Sequence, residues 1–351
     1  MVTAFSYYFV GTALRGVFFF TLVILSVLLF VSQNLKDARG LFVERRVVNF
    51  LVVFFVVLII QLINNTLTPF VLYIVAAPCL AIFILKNKFN TRILKIPVFI
   101  MASVFSVYYI LHKTLEGAFS EMSVNYVSVV LIMNAILINS IERLQKERIS
   151  LLPSFIALFF SLLAMGRSGI LCTFLLFTSV LIINWKFFSV KKKTAFAIFI
   201  LVPILIFALL KFDIISSYID NLAVLERFNE RGVDSPSRDI LKREYLNNMT
   251  FANILLGFNF SNNIWFIHYG LNPHNSYIRL HFYFGIVFLL VLGFILQNGW
   301  KLLKKDFFLA ILVFIILLRS WTDSALFLTL YDFVLLILLF IPNYKKAVNY
   351  D

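Results

Sequence analysis

Long apolar runs separated by short polar connections organise the chain: Val10–Val31, Val47–Ile63, Leu67–Leu85, Leu94–Leu111, Met122–Ser140, Leu151–Met165, Gly169–Trp185, Ala195–Leu210, Ser276–Gln297, Phe307–Leu318 and Ser324–Ile341. A bilayer-spanning helix needs about 17–25 mostly apolar residues, and each run meets or approaches that length. The pattern predicts an all-α, polytopic integral membrane protein with about eleven transmembrane helices, built as a single membrane domain over residues 1–351. Arg15 interrupts the first run, so a surface helix followed by a span is an alternative for its start. Met1–Phe20 lacks a basic leader and a convincing cleavage site, and we expect it to be retained, with the first span as its own anchor. We see no inverted internal repeat of the kind many transporters carry.

Composition argues against a soluble domain. The chain is 62% hydrophobic and 14% charged, against about 45–50% and about 25% in average soluble domains. A net charge of +14 raises nucleic acid as a partner, but the bases are scattered between apolar runs and form no binding stripe. They alternate instead. Lys36, Arg39, Arg45 and Arg46 form one cluster, followed by Lys86, Lys88, Arg92 and Lys95, then Arg143, Lys146 and Arg148. Lys186 with Lys191, Lys192 and Lys193, then Lys301, Lys304 and Lys305, and finally Lys345 and Lys346 continue the series. Ile63–Thr66 holds no base and His112–Glu121 holds only Lys113. By the positive-inside rule the clustered side is cytoplasmic, the C-terminus included. Cys79 and Cys172 sit inside apolar runs, so neither a disulfide framework nor a metal site is expected.

The connection over residues 211–275 stands apart: it is polar, carries turn residues at Gly232, Pro236, Gly257, Gly270 and Pro273, and falls on the non-cytoplasmic side. A loop of that length is uncommon unless it is functional or folded, and Tyr245, Phe251 and Trp265 are among the apolar residues able to fold it onto the membrane domain. It contains Arg227, Arg231, Arg238 and Arg243. The planar guanidinium fork suits bidentate phosphate binding, so as a group they point to an anionic ligand. The plainer alternative is a solvated surface in which nearby acids such as Asp234, Asp239 and Glu244 pair with them. Arg167, in Gly166-Arg167-Ser168-Gly169, sits at a tight break between two spans on the same outer face. It can snorkel to the headgroups, but an ionisable group at the mouth of a bundle is usually functional and is placed to meet a lipid diphosphate.

His274, in Pro273-His274-Asn275-Ser276-Tyr277, stands where the outer loop re-enters the membrane. An imidazole titrates near neutrality by type and can accept a proton from a sugar hydroxyl. His268 and His281 are its competitors, the first without a comparable setting and the second further into the span. Arg319 and Asp323 flank the last outer turn, and a mutual pair is their plain reading; Asp332 falls about a third of the way into the final run and needs a partner or a pocket. Walker, dinucleotide-glycine, Gly-x-Ser-x-Gly and Cys/His metal motifs do not occur, so the sequence points to no nucleotide-driven or metal-dependent reaction.

In this order the residues resemble the O-antigen polymerase/ligase superfamily of bacterial surface-polysaccharide assembly. The resemblance rests on Gly166-Arg167-Ser168-Gly169, Arg227-Phe228, Ser235-Pro236-Ser237-Arg238, Leu255-Leu256-Gly257-Phe258, His274-Asn275-Ser276-Tyr277 and Gly285-Ile286. It covers roughly Ser154 to Ile341; the first half matches only as generic spans. The family works on undecaprenyl-diphosphate-linked glycans as a metal-independent membrane glycosyltransferase with a GT-C-like helical fold and no cofactor. The resemblance therefore implies a site on the periplasmic side of the bacterial inner membrane. Arg167, Arg227, Arg231 and Arg238 would bind the diphosphate, with His274 as the base and Arg238 assisting catalysis. Asn275, Tyr277, Arg319 and Asp332 would be further candidates. The partners it implies are an undecaprenyl-diphosphate-linked oligosaccharide, membrane lipid and a chain-length regulator.

Polymerase and ligase share this constellation, and the short chain with its compact loop favours the polymerase. Alternatives are an O-antigen ligase or related transferase with another acceptor, and, in a different class, a lipid-linked oligosaccharide flippase or transporter. A flippase needs cation-lined cavities open to both leaflets, whereas the unusual polar residues here gather on one face. Glycoside hydrolysis is a weaker option; it would usually need two carboxylates about 5–10 Å apart.

Overall fold

A computed structural model describes residues 12–36, 45–119, 123–145, 148–187, 236–269 and 271–343, and every regular element within them is helical. In chain order these are α1 (Thr12–Lys36), α2 (Arg45–Ile63), α3 (Tyr73–Lys86), α4 (Thr91–His112), α5 (Asn125–Leu144), α6 (Leu151–Leu163) and α7 (Arg167–Asn184). After them come α8 (Pro236–Asn247), α9 (Phe251–Leu256), α10 (Ile264–His268), α11 (Ser276–Phe284), α12 (Phe288–Lys305), α13 (Phe307–Thr322) and α14 (Asp332–Phe340), with short 3-10 turns between some of them. Among the described residues, 6 helices are long and apolar enough to cross a membrane, and Val47–Ile63, Leu151–Leu163, Phe307–Thr322 and Asp332–Asn343 are shorter apolar helices. Together they occupy every expected run except Ala195–Leu210, which lies outside the described residues. The chain is a multi-pass, membrane-embedded helical protein.

Helix α5 is the hub, with 89% of its apolar window buried, whereas α4 buries 17% and turns its side chains to lipid. Lipid tails are as apolar as leucine, so helices associate through close packing and interhelical hydrogen bonds rather than the hydrophobic effect. The buried amides of α5 supply such bonds: Asn134 Nδ2 donates to Tyr331 Oη at 2.9 Å and Asn139 Nδ2 to Ser154 Oγ at 3.0 Å.

The alternation of basic clusters is also an alternation in space. Lys86 Nζ donates to Asn34 Oδ1 at 3.1 Å, Lys95 pairs with the buried Glu142 at 2.7 Å, and Arg143 pairs with Asp306 at 2.7 Å. Gln145 Nε2 donates to Phe89 O at 3.0 Å. The connections rich in Lys and Arg therefore meet at one end of the bundle. The 191–193 and 345–346 clusters lie outside the described residues.

Two helices depart from the expected runs. The final one starts at Asp332 rather than Ser324, so Asp332 opens a helix instead of interrupting one. Residues 323–331 form a buried non-helical segment with φ of 65° at Phe327 and 62° at Leu328. Backbone polar groups at membrane depth must be satisfied by protein. Here Ser276 Oγ accepts from Ala325 N and Leu326 N, and the Asp332 carboxylate accepts from Phe327 N, Thr329 N and Thr329 Oγ1. The second departure is a bend at Gly285, which divides the run from Ser276 to Lys305 into α11 and α12.

That bend docks the connection that precedes α11. Gly257 and Gly285 both take positive φ, and their backbones face each other so closely that a Cβ at Gly257 would collide with His281 O and Phe282 O, and one at Gly285 with Leu255 O. Asn64, at the end of α2, donates from Nδ2 to Leu256 O and Gly257 O and accepts at its carbonyl from Asn259 Nδ2. Leu241, Phe258, Phe260, Phe266 and Phe282 close a second small core, with the Phe260 ring stacked on Phe282 at 4.0 Å. The loop between residues 236 and 275 is thus a folded element seated on the bundle. Residues 211–235 lie outside the described residues.

Candidate functional site

Asp323 is the focus of the end of the bundle opposite the basic connections. It follows α13 directly, is 1% exposed, and faces Arg319 one helical turn earlier, whose Nη2 lies 3.3 Å from its Oδ2. Arg319 is fully buried. Its Nη1 donates to Thr322 Oγ1 at 3.1 Å and its Nη2 to Asn125 O at 3.2 Å, which fastens α13 to the start of α5. Nε of Arg319 is buried without a hydrogen-bond partner. Ser324 N donates to Asp323 Oδ1 at 2.9 Å, and Ser276 Oγ donates to Asp323 O at 2.8 Å. Burial alone would raise the Asp323 carboxyl, but the His274 imidazole and the Arg319 guanidinium outweigh it and hold the group down at about 2. Asp323 is therefore a buried anion at neutral pH.

His274 is brought to this carboxylate by strained backbone. Its φ is 48°, a left-handed conformation uncommon for a residue with a side chain. Asn272 Oδ1 holds the turn by accepting from His274 N at 2.9 Å and from Ser324 Oγ at 2.8 Å. The result is His274 Nδ1 at 3.9 Å from Asp323 Oδ1, an ion-pair separation rather than a hydrogen bond, with the imidazole 28% exposed. An imidazole with one side turned to a fixed carboxylate and the other side accessible can take up a proton and have the resulting charge stabilised.

Two arginines complete the cluster. Arg238, in the first turn of α8, is half-buried and lies in the electrostatic field of Asp323, Arg319, Arg167 and Asp239. Burial pushes its guanidinium below the usual arginine range, Arg319 and Arg167 add to that, and Asp323 and Asp239 oppose it. Arg167 opens α7, where Gly169 packs so tightly on α5 that a Cβ would collide with Ser128 Oγ. Ser128 is also within 3.4 Å of Arg319 Nη2, so the glycine places the start of α7 beside the Arg319–Asp323 pair. Lys242, one turn along α8 from Arg238, lies 5.7 Å from the Trp321 ring centre, so α8 sits above the turn that carries Asp323.

Five residues singled out from the sequence thus come together at the end of the bundle opposite the basic connections: Arg167, Arg238, His274, Arg319 and Asp323. Asn275 and Tyr277 adjoin it in supporting positions. Asn275 Oδ1 accepts from Tyr277 N and Ile278 N as the N-cap of α11, and its Nδ2 donates to Trp321 O; Tyr277 Oη donates to Leu317 O at 3.1 Å. Asp332 is elsewhere, occupied by the backbone of residues 327–329, with Arg279 as its nearest cationic influence. Arg227 and Arg231 lie outside the described residues. The competing histidines separate cleanly. His268 is exposed, packed edge-on against Tyr269. His281 is buried between Tyr245 Oη at Nδ1 and Ile254 O at Nε2, a joint between loop and span.

Sequence reasoning missed Asn272, Ser276 and Ser324, which fix the His274 turn against Asp323. Their only signal was proximity to residues already chosen. Among the described residues no three His, Cys, Asp or Glu side chains gather as metal ligands would. Compared with family models, curated proteins and solved structures, the chain matches none.

Proposed function

We propose that the protein is a membrane glycosyltransferase that polymerises undecaprenyl-diphosphate-linked repeat units at the periplasmic face, inverting the anomeric centre. The observation that carries this is the convergence of Arg167, Arg238 and Arg319 with a His274–Asp323 pair at one end of the bundle. In the proposed step, His274 removes the proton of the acceptor sugar hydroxyl, and the oxygen attacks the anomeric carbon of the donor. The bond from that carbon to the diphosphate oxygen breaks, and the lipid diphosphate leaves with the electron pair. Arg238 and Arg167 meet the charge on the departing group, the electrostatic contribution that weighs most in such reactions. Asp323, anchored by Arg319, orients the imidazole and stabilises it once protonated. A diphosphate is already a good leaving group, so no general acid is required of the protein.

The test is genetic. A deletion strain should lose glycan ladders longer than one repeat while single-unit transfer to the final acceptor survives, and Arg238→Ala should reproduce that profile at normal protein level. Loss of single-unit transfer as well would make the protein the ligase of the same chemistry. An unchanged ladder in the deletion strain would remove it from glycan assembly.

A further inference from the structure

A cavity of about 360 Å³ opens between α2 and α3 on one side and α12 and α14 on the other. Its walls are apolar, with Val53 and Ala77 facing Phe294, Leu335 and Leu339. Its deep end stops at Phe327 and Asp332, and nothing polar there awaits a ligand. The Asp332 carboxylate is taken up by Phe327 N, Thr329 N and Thr329 Oγ1, and Tyr73 Oη donates to Leu330 O at 2.8 Å. Polar recognition is confined to the mouth, where Asn298, Lys301 and Asn343 stand together. Asn343 Nδ2 donates to Asn298 Oδ1 at 2.6 Å, and Lys301 Nζ reaches Asn343 Oδ1 only at 3.5 Å from an exposed position.

The dimensions identify an occupant. Along α12 the lining runs from Leu290 to Lys301, a rise of about 16 Å at 1.5 Å per residue. That is roughly half of a ~30 Å hydrocarbon core, so the groove matches one leaflet: a cation at the headgroup level, then apolar wall, then a closed end. We propose that this groove is a binding site for one acyl chain of an anionic phospholipid of the leaflet on the Lys301 side, with the phosphate on Lys301 and the glycerol region against Asn298 and Asn343. The occupant is a resident lipid and distinct from the proposed lipid-linked donor, because the mouth lies at the end of the bundle opposite His274.

The full-length protein, purified in mild detergent, should retain one phospholipid per chain through a delipidating wash. Added phosphatidylglycerol should bind in preference to phosphatidylcholine by roughly fivefold, the effect of one lysine near an anionic headgroup. Ala77→Trp, which fills the groove from α3, should abolish retention. Lys301→Glu, at an exposed position that does not threaten folding, should retain less lipid and erase the preference for phosphatidylglycerol. Equal binding of the two lipids by wild type, unchanged by Lys301→Glu, would reduce the groove to ordinary annular lipid and overturn the proposal. So would recovery of a polyprenyl phosphate as the retained lipid. If Ala77→Trp fails to insert, the Lys301→Glu comparison decides alone. None of these readouts depends on glycosyl transfer, so the site and the proposed enzyme activity stand or fall separately.

Discussion

At the end of the bundle where the basic connections meet, carboxylates pair separately with bases from other helices: Lys95 with Glu142 and Arg143 with Asp306, each at 2.7 Å. At the opposite end a single buried carboxylate, Asp323, is shared by Arg319 and His274 and lies in the field of Arg238. The first arrangement ties neighbouring helices together in separate pairs. The second gathers positive charge around one anion beside an accessible imidazole. This asymmetry distinguishes the two ends: separate pairs between helices at one, a shared buried carboxylate beside a partly exposed imidazole at the other.

The comparison predicts a graded set of effects. The largest belongs to Arg319. Arg319→Met removes the guanidinium that faces the buried Asp323 carboxylate, and breaking a buried ion pair in this way typically costs about 3–5 kcal/mol. Denaturant or thermal unfolding in detergent should register that loss, and Asp323→Asn added to it should recover part of the stability. Next comes the pH dependence of Asp323 itself. Its folded-state pKa, about 2, lies below the ordinary carboxylate value, so its contribution is fully present above about pH 4 and is lost as pH falls toward 2. The stability difference between wild type and Asp323→Asn should shrink by roughly 2–3 kcal/mol as pH falls across that window. The smallest effect belongs to the basic end. Arg143 and Asp306 are partly exposed, and Asp306→Asn should cost no more than about 1 kcal/mol, with no change in glycan profile. A large loss of polymer from Asp306→Asn would erase the distinction between the two ends.

Much of this was legible in the sequence. The apolar runs place the helices because hydropathy over a span is a sum that local detail does not overturn, and the Lys and Arg clusters give the alternation of connections. Arg167, Arg319 and Asp323 were visible as charged residues at turns between apolar runs, and Arg238 and His274 as members of the long polar connection. What could not be read was their meeting. Arg167 and Arg319 are brought together because Gly169 lets α7 approach Ser128, a contact between segments far apart in the chain. Asp332 was misread as lying within a helix, because the composition of residues 324–331 is apolar and does not reveal that Ser276 and Asp332 satisfy a non-helical backbone there. The role of His281 as a joint depends on Tyr245, which lies in a different helix of the folded loop.

The most direct test of the catalytic assignment is turnover by purified protein supplied with a lipid-linked repeat unit in a chelator-containing buffer, comparing wild type with His274→Ala at matched folding. General-base catalysis contributes about 10²–10⁴ in rate. His274→Ala should therefore lose chain extension by that factor while still binding the lipid-linked donor. Retention of most of the turnover by His274→Ala would contradict the assignment of the His274–Asp323 cluster as the catalytic centre.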